Sequence, residues 1–182
     1  MSTFAWIAIA AAVIVVAVIV LAAIFGRDRR RRLQDQFGPE YGRTVESADK
    51  RRDAERDLRD RVERHDALEL HPLSDTARAR YEQAWGELQT RFVDQPQIAV
   101  SAADGLVSSV MRDRGYPVDD FEEQSALVSV DHPRVVENYR RGHEIYVKAA
   151  DGTASTEDLR VAVISYRDLF DELMRESADQ RS

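Results

Sequence analysis

Hydrophobic positions in this chain fall into two regimes, one unbroken run and then a series of stripes. Residues 4–25 are continuously apolar, with nothing more polar than Trp6 among them. As a helix that run is ~33 Å long against ~30 Å of bilayer hydrocarbon, which predicts one membrane span over 4–26. A cleaved signal peptide would want a basic start and an apolar stretch of only about 7–15 residues. Met1, Ser2 and Thr3 carry no side-chain charge, and the run is longer than that. Residues 1–3 are then a short external tail.

Past the run the periodicity becomes that of amphipathic helices. A basic juxtamembrane segment occupies 27–39 and ends at Gly38-Pro39, a pair that disfavours helix continuation. Residues 40–70 read as one long charged helix, laced by the acid-before-base pairs Glu55/Arg59, Asp57/Arg61 and Asp60/Arg64. Each such pair is worth ~0.2–0.5 kcal/mol. Its two short apolar faces, Tyr41/Val45/Ala48 and Leu58/Val62/Leu68, are offset from one another. The helix is therefore a solvated stalk or packs only at its two ends.

Residues 71–177 carry the stripes of a compact bundle of about four to five helices. Ser74 or Asp75 can cap a helix whose apolar face is Ala77, Tyr81, Trp85, Leu88 and Phe92. Pro96 opens the next, through Ala99, Ala103, Leu106, Val110 and Met111, closed by Arg112, Arg114 and Gly115. A short helix follows over 119–128, capped by Asp119. Another starts at Asp131 or His132 with Pro133 in its first turn and runs through Tyr139, His143 and Tyr146. Ser155 with Asp158 resembles a capping box for the last helix, which carries Leu159, Tyr166, Phe170 and Leu173 and ends near Glu176. Residues 178–182 read as a disordered tail. No segment alternates with period two long enough to make a sheet; 126–130 is the nearest rival. The predicted fold class is all-α.

Charge adds a direction. Arg27, Arg29, Arg30, Arg31 and Arg32 face only Asp28 just after the apolar run. The positive-inside rule then sets the N-terminus outside and the C-terminal domain in the cytoplasm of a single-pass membrane protein. The same arginines can bind anionic lipid heads at roughly 1 kcal/mol each. The rest of the chain, with 21 basic and 32 acidic residues, argues against a nucleic-acid partner. With no cysteine, disulfides, thiol nucleophiles and Cys-ligated zinc are excluded.

Candidate chemistry is sparse. Four histidines (His65, His71, His132, His143) occur without HExxH or ExxH spacing, and no phosphate-binding glycine loop or GxSxG elbow is present. Asp131-His132 near Ser129 is explained by helix capping, and His143 by hydrogen bonding at the edge of a core. No catalytic, cofactor-binding or metal residue is assigned, and no cofactor. Residues 115–133 lack strong periodicity yet hold Tyr116, Phe121, Leu127 and Val130. Either this connection caps the core, or Tyr116, Pro117 and Phe121, rimmed by acidic residues, form a partner-docking edge. The function expected is an adaptor or scaffold with an unspecified protein partner at the inner membrane face. The alternative is a membrane-tethered enzyme with its site in 112–143.

The strings FGPEY at 37–41, HPLS at 71–74, RFVD at 91–94, MRDRGYPVDDFE at 111–122, VDHPRVVENYR at 130–140 and YRDLFDEL at 166–173 resemble a family of bacterial single-span membrane proteins. Its members are usually labelled hypothetical, membrane or secreted protein. The resemblance covers about residues 1–175 and implies one span, but no activity, cofactor or catalytic residue.

Overall fold

The computed structural model describes Val16, Leu21 and residues 27–179, with side chains through Arg175. The expected span 4–26 lies outside the described residues apart from Val16 and Leu21, which are helical and exposed. Among the described residues no helix is long and apolar enough to cross a membrane. All regular structure in them is helical: α1 (27–37), α2 (Pro39–Ser47), α3 (Arg51–Asp66), α4 (Asp75–Phe92), α5 (Pro96–Arg114), α6 (Phe121–Asp131), α7 (Val136–Ala150) and α8 (Thr156–Asp179). Residues 126–130, the rival strand, lie within α6. The tail expected over 178–182 is helical at Ala178 and Asp179, and 180–182 lie outside the described residues.

Several ends form as their sequences specify. Ser74 accepts a hydrogen bond from the Ala77 amide at 3.1 Å. Ser155 Oγ accepts from the Asp158 amide while the Asp158 carboxylate accepts from the Ser155 amide, which completes the capping box. The α6 cap is Asp120 rather than Asp119, its carboxylate accepting from the Glu123 amide at 2.7 Å. α6 then runs through Asp131, and 133–135 form a turn before α7, so Pro133 lies outside the helix.

The larger departure is in 40–70. The single charged helix is two, α2 and α3, separated by extended backbone at Ala48 and Lys50. Residues 40 and 61 of one straight helix would stand about 31 Å apart. Here Arg61 Nη1 donates to Glu40 Oε1 at 2.8 Å, and Tyr41 Oη donates to Glu55 Oε1 at 2.9 Å. The break folds α2 back on α3 so that their offset apolar faces meet. Leu33, Phe37, Tyr41, Leu58 and Val130 form a small core there.

The main core is built by α4, α5, α7 and α8, around Trp85, Met111, Tyr139, Tyr166, Phe170 and Leu173. Tyr81 bonds to Asp113, which sets α4 antiparallel to α5 across the 93–95 turn. Tyr139 lies at Ser108 and His143 at Asp104, so α7 is antiparallel to α5. Asn138 bonds to Asp168, so α8 returns antiparallel to α7. One end of the bundle therefore carries the 93–95 and 151–155 turns. The other carries Gly115, the 133–135 turn and the last turns of α8, and α1–α3 pack at that end.

Gly115 closes α5 at φ 101°, with its amide bonded back to the Arg112 carbonyl. A Cβ built on it would lie 2.6 Å from the Glu69 carbonyl oxygen. Gly115→Ala combines a left-handed backbone with a backbone clash, so we expect a loss of about 1–3 kcal/mol. Thermal unfolding of the full chain in detergent measures it, and an unchanged midpoint would contradict this account of the α5 end.

Candidate functional site

Most charges among the described residues are on the surface; of the buried ones, Arg114 closes the end of α5, while Glu40, Arg61 and Arg140 cluster. Glu40 lies in the first turn of α2, just after Gly38, whose φ of 48° lets the chain turn from α1 into α2. Its side chain is 1 % exposed and meets three guanidinium groups. Arg43 donates from Nε and Nη2 at 3.0 and 2.9 Å, Arg61 from Nη1 at 2.8 Å, and Arg140 from Nη1 and Nη2 at 2.7 and 3.0 Å. Arg61 also reaches Asp57 at 2.5 Å and Ser129 Oγ at 3.4 Å. Burial alone would raise the Glu40 pKa, but the hydrogen bonds and charges of Arg43 and Arg140 override it and hold the carboxyl at about 2. One carboxylate thus ties α2, α3 and α7 together.

A second polar group lies where α5, α7 and α8 meet. Asp104 Oδ1 accepts from Tyr166 Oη at 2.7 Å and sits 3.1 Å from His143 Nδ1. The His143 ring stacks on Phe121 with centroids 3.6 Å apart. Desolvation, together with the Asp104 charge, pushes both the Tyr139 and the Tyr166 hydroxyls upward in pKa. His143 is thus a hydrogen-bonded edge of the core. A third group joins α3 to the end of α6: Asp131 Oδ2 lies 2.8 Å from His65 Nε2 and accepts from Tyr116 Oη at 3.1 Å. The hydrogen bond to Asp131 outweighs partial burial and raises the His65 pKa.

The open chemistry lies in a crevice of about 560 Å³ between the α1–α2 bend, the 131–135 turn and the last turns of α8. Asp35, Asp131, His132, Arg134, Glu172 and Arg175 all contribute to its walls. His132 Nδ1 stands 3.9 Å from Glu172 Oε1, and Glu172 pairs with Arg175. Ser129 is not part of a triad with Asp131 and His132: its hydroxyl donates to the Ala126 carbonyl at 2.6 Å, and Asp131 is bonded to His65 and Tyr116. Among the described residues no group of three or more His, Cys, Asp or Glu could hold a metal ion.

The residues singled out for docking separate. Tyr116 is 2 % exposed and packs in the main core, because its ring closes the α5 end while its hydroxyl finds Asp131. Pro117 is half-buried, and Phe121 is half-buried against His143 and Tyr139. An exposed edge centred on Tyr116 is therefore absent, and this connection covers the bundle. Of the topology arginines, Arg27, Arg29, Arg31 and Arg32 are exposed, whereas Arg30 is half-buried against Tyr41.

The Glu40 cluster escaped sequence reasoning because its members are 3, 21 and 100 residues away from it. Arg140 points inward, whereas Arg134 and Arg141 beside it in sequence are exposed. No family model, curated protein or solved structure matches the chain.

Proposed function

We propose that this protein is a membrane-anchored helical platform, held by a span over 4–26 with its bundle on the cytoplasmic side, that serves as an adaptor or scaffold for a protein partner. The observation that carries this reading is the mount. α1 follows directly on the apolar run, buries Leu33 and Phe37 in the small core, and leads into the Glu40 cluster. These contacts hold α1 in one orientation to the bundle, as a platform requires and a flexible linker at this position would not provide. The far end supplies a contact surface, with Val93 82 % and Ile98 53 % exposed beside the 93–95 turn.

A membrane-tethered enzyme is the second reading, favoured by the crevice that gathers Asp131, His132 and Arg134 within 112–143. The orientation is tested with a cysteine at Ser155, which the cysteine-free background makes unique. It should resist a membrane-impermeant maleimide in intact cells and react after permeabilisation. Rapid labelling of intact cells would reverse the orientation. The two functional readings separate by in-cell photo-cross-linking: a platform yields a discrete adduct from a cross-linker at Val93 that Ile98→Asp abolishes. No adduct from Val93 would turn attention to the crevice.

A further inference from the structure

The five arginines after the apolar run do not all do the same work once the chain is folded. Arg30 is turned toward Tyr41, on the side of α1 that carries Leu33 and Phe37 into the small core. Arg31 and Arg32 lie one helical turn before Asp35 and Gln36, and so share their face of α1. Asp35 and Gln36 line the crevice, and across it stands Arg134 from the 133–135 turn. A residue about 100 positions along the chain thereby shares a crevice with the C-terminal turn of α1, one helical turn beyond Arg31 and Arg32. Arg31, Arg32 and Arg134 are exposed and make no ion pair or hydrogen bond among the described residues.

The crevice is not uniformly basic. Of its carboxylates, Asp131 is bonded to His65 and Tyr116, and Glu172 pairs with Arg175. Asp35 is left facing Arg134 across the crevice, and with Asp28 it shares the face of α1 that carries Arg31 and Arg32, so two acids stand against three guanidiniums. Guanidiniums bind phosphate oxygens by paired N–H donors. We infer that Arg31, Arg32 and Arg134 form a seat for the headgroup phosphate of an anionic phospholipid, at the mouth of the crevice beside α1. The occupant is a lipid and not a free phosphate because Arg31 and Arg32 follow the apolar run 4–25 by only six and seven residues, which sets them at headgroup depth. This rests on the membrane-anchored reading and adds a third, tertiary arginine to what the linear run supplies.

The test uses the full chain, purified in a nonionic detergent doped equally with phosphatidylglycerol and phosphatidylcholine, with retained lipids counted by native mass spectrometry. The parent should retain phosphatidylglycerol preferentially. Arg134→Gln should lower that preference by about fivefold, and Arg31→Gln/Arg32→Gln by more, since each arginine near the surface contributes at this scale. Asp35→Asn should raise it, and Arg91→Gln, at the far end of α4, should leave it unchanged. Equal retention of the two lipids by the parent, or a preference untouched by Arg134→Gln, would overturn the seat. Equal losses in Arg91→Gln would overturn it too, as the mark of general charge. Alkaline extraction of membranes keeps the two readings apart. A chain released by it has lost its anchor, whereas a chain retained without lipid preference has lost only the seat.

Discussion

Glu40→Gln should be among the most destabilising conservative substitutions in this protein, with an expected loss of about 3–5 kcal/mol. The neutral amide leaves Arg61 and Arg140, both nearly buried, without the carboxylate that compensates them. Replacing the group outright is expected to cost less than breaking it. Glu40→Met with Arg61→Leu and Arg140→Met should recover much of the loss, because a buried ion cluster repays its own desolvation only partly. Thermal unfolding of the full chain in detergent, followed by circular dichroism, checks both. A Glu40→Gln variant as stable as the parent would remove the cluster as the mount of the bundle. The pH dependence carries the same signature. The folded-state pKa is lowered from an ordinary 4.5 to about 2. The stability it contributes is therefore complete above about pH 4.5 and drains away as pH falls toward 2. Glu40→Gln should flatten the stability profile over that interval.

Trp85→Ala is expected to cost about 3–5 kcal/mol, by cavity formation at the centre of the bundle. The indole is 1 % exposed, stacks on Phe170 with centroids 4.7 Å apart, and lies under the Arg167 guanidinium at 5.4 Å. Its Nε1–H has no hydrogen-bond partner among the described residues. Trp85→Phe keeps a ring against Phe170 and removes that unsatisfied donor, so it should cost less than half as much as the alanine. The ratio of the two losses is the informative quantity. Equal losses would mean that the indole nitrogen is satisfied and specifically required.

These two residues mark the boundary between what can be read along the chain and what cannot. Trp85 was legible, because a stripe at helical spacing states which face is buried before any partner is known. The caps at Ser74 and Ser155 and the left-handed end at Gly115 were legible for a similar reason: each is a bargain between residues three or four positions apart. The α2–α3 break was not. No glycine or proline stands between Ser47 and Arg51, and local propensity favours one continuous helix. What breaks it is the burial of Tyr41 against Leu58 and of Glu40 against Arg61, which a straight helix would hold far apart.

The same logic divided the charges. Asp57 with Arg61 behaves as the i,i+4 pair its spacing implies. Arg64 instead reaches across to Glu123 at 3.0 Å, and Glu55 accepts from Tyr41, so a helix that reads as solvated is tied on two sides. Tyr116 shows the reverse case, an aromatic residue in an aperiodic connection whose burial no spacing announces. By itself, then, the sequence determined the helical class, the faces of the main bundle and most helix ends, since these depend on neighbours within a turn. The tertiary structure alone decided where the chain doubles back and which ions are buried. Those choices depend on desolvation and pairing between residues that only the completed fold brings together.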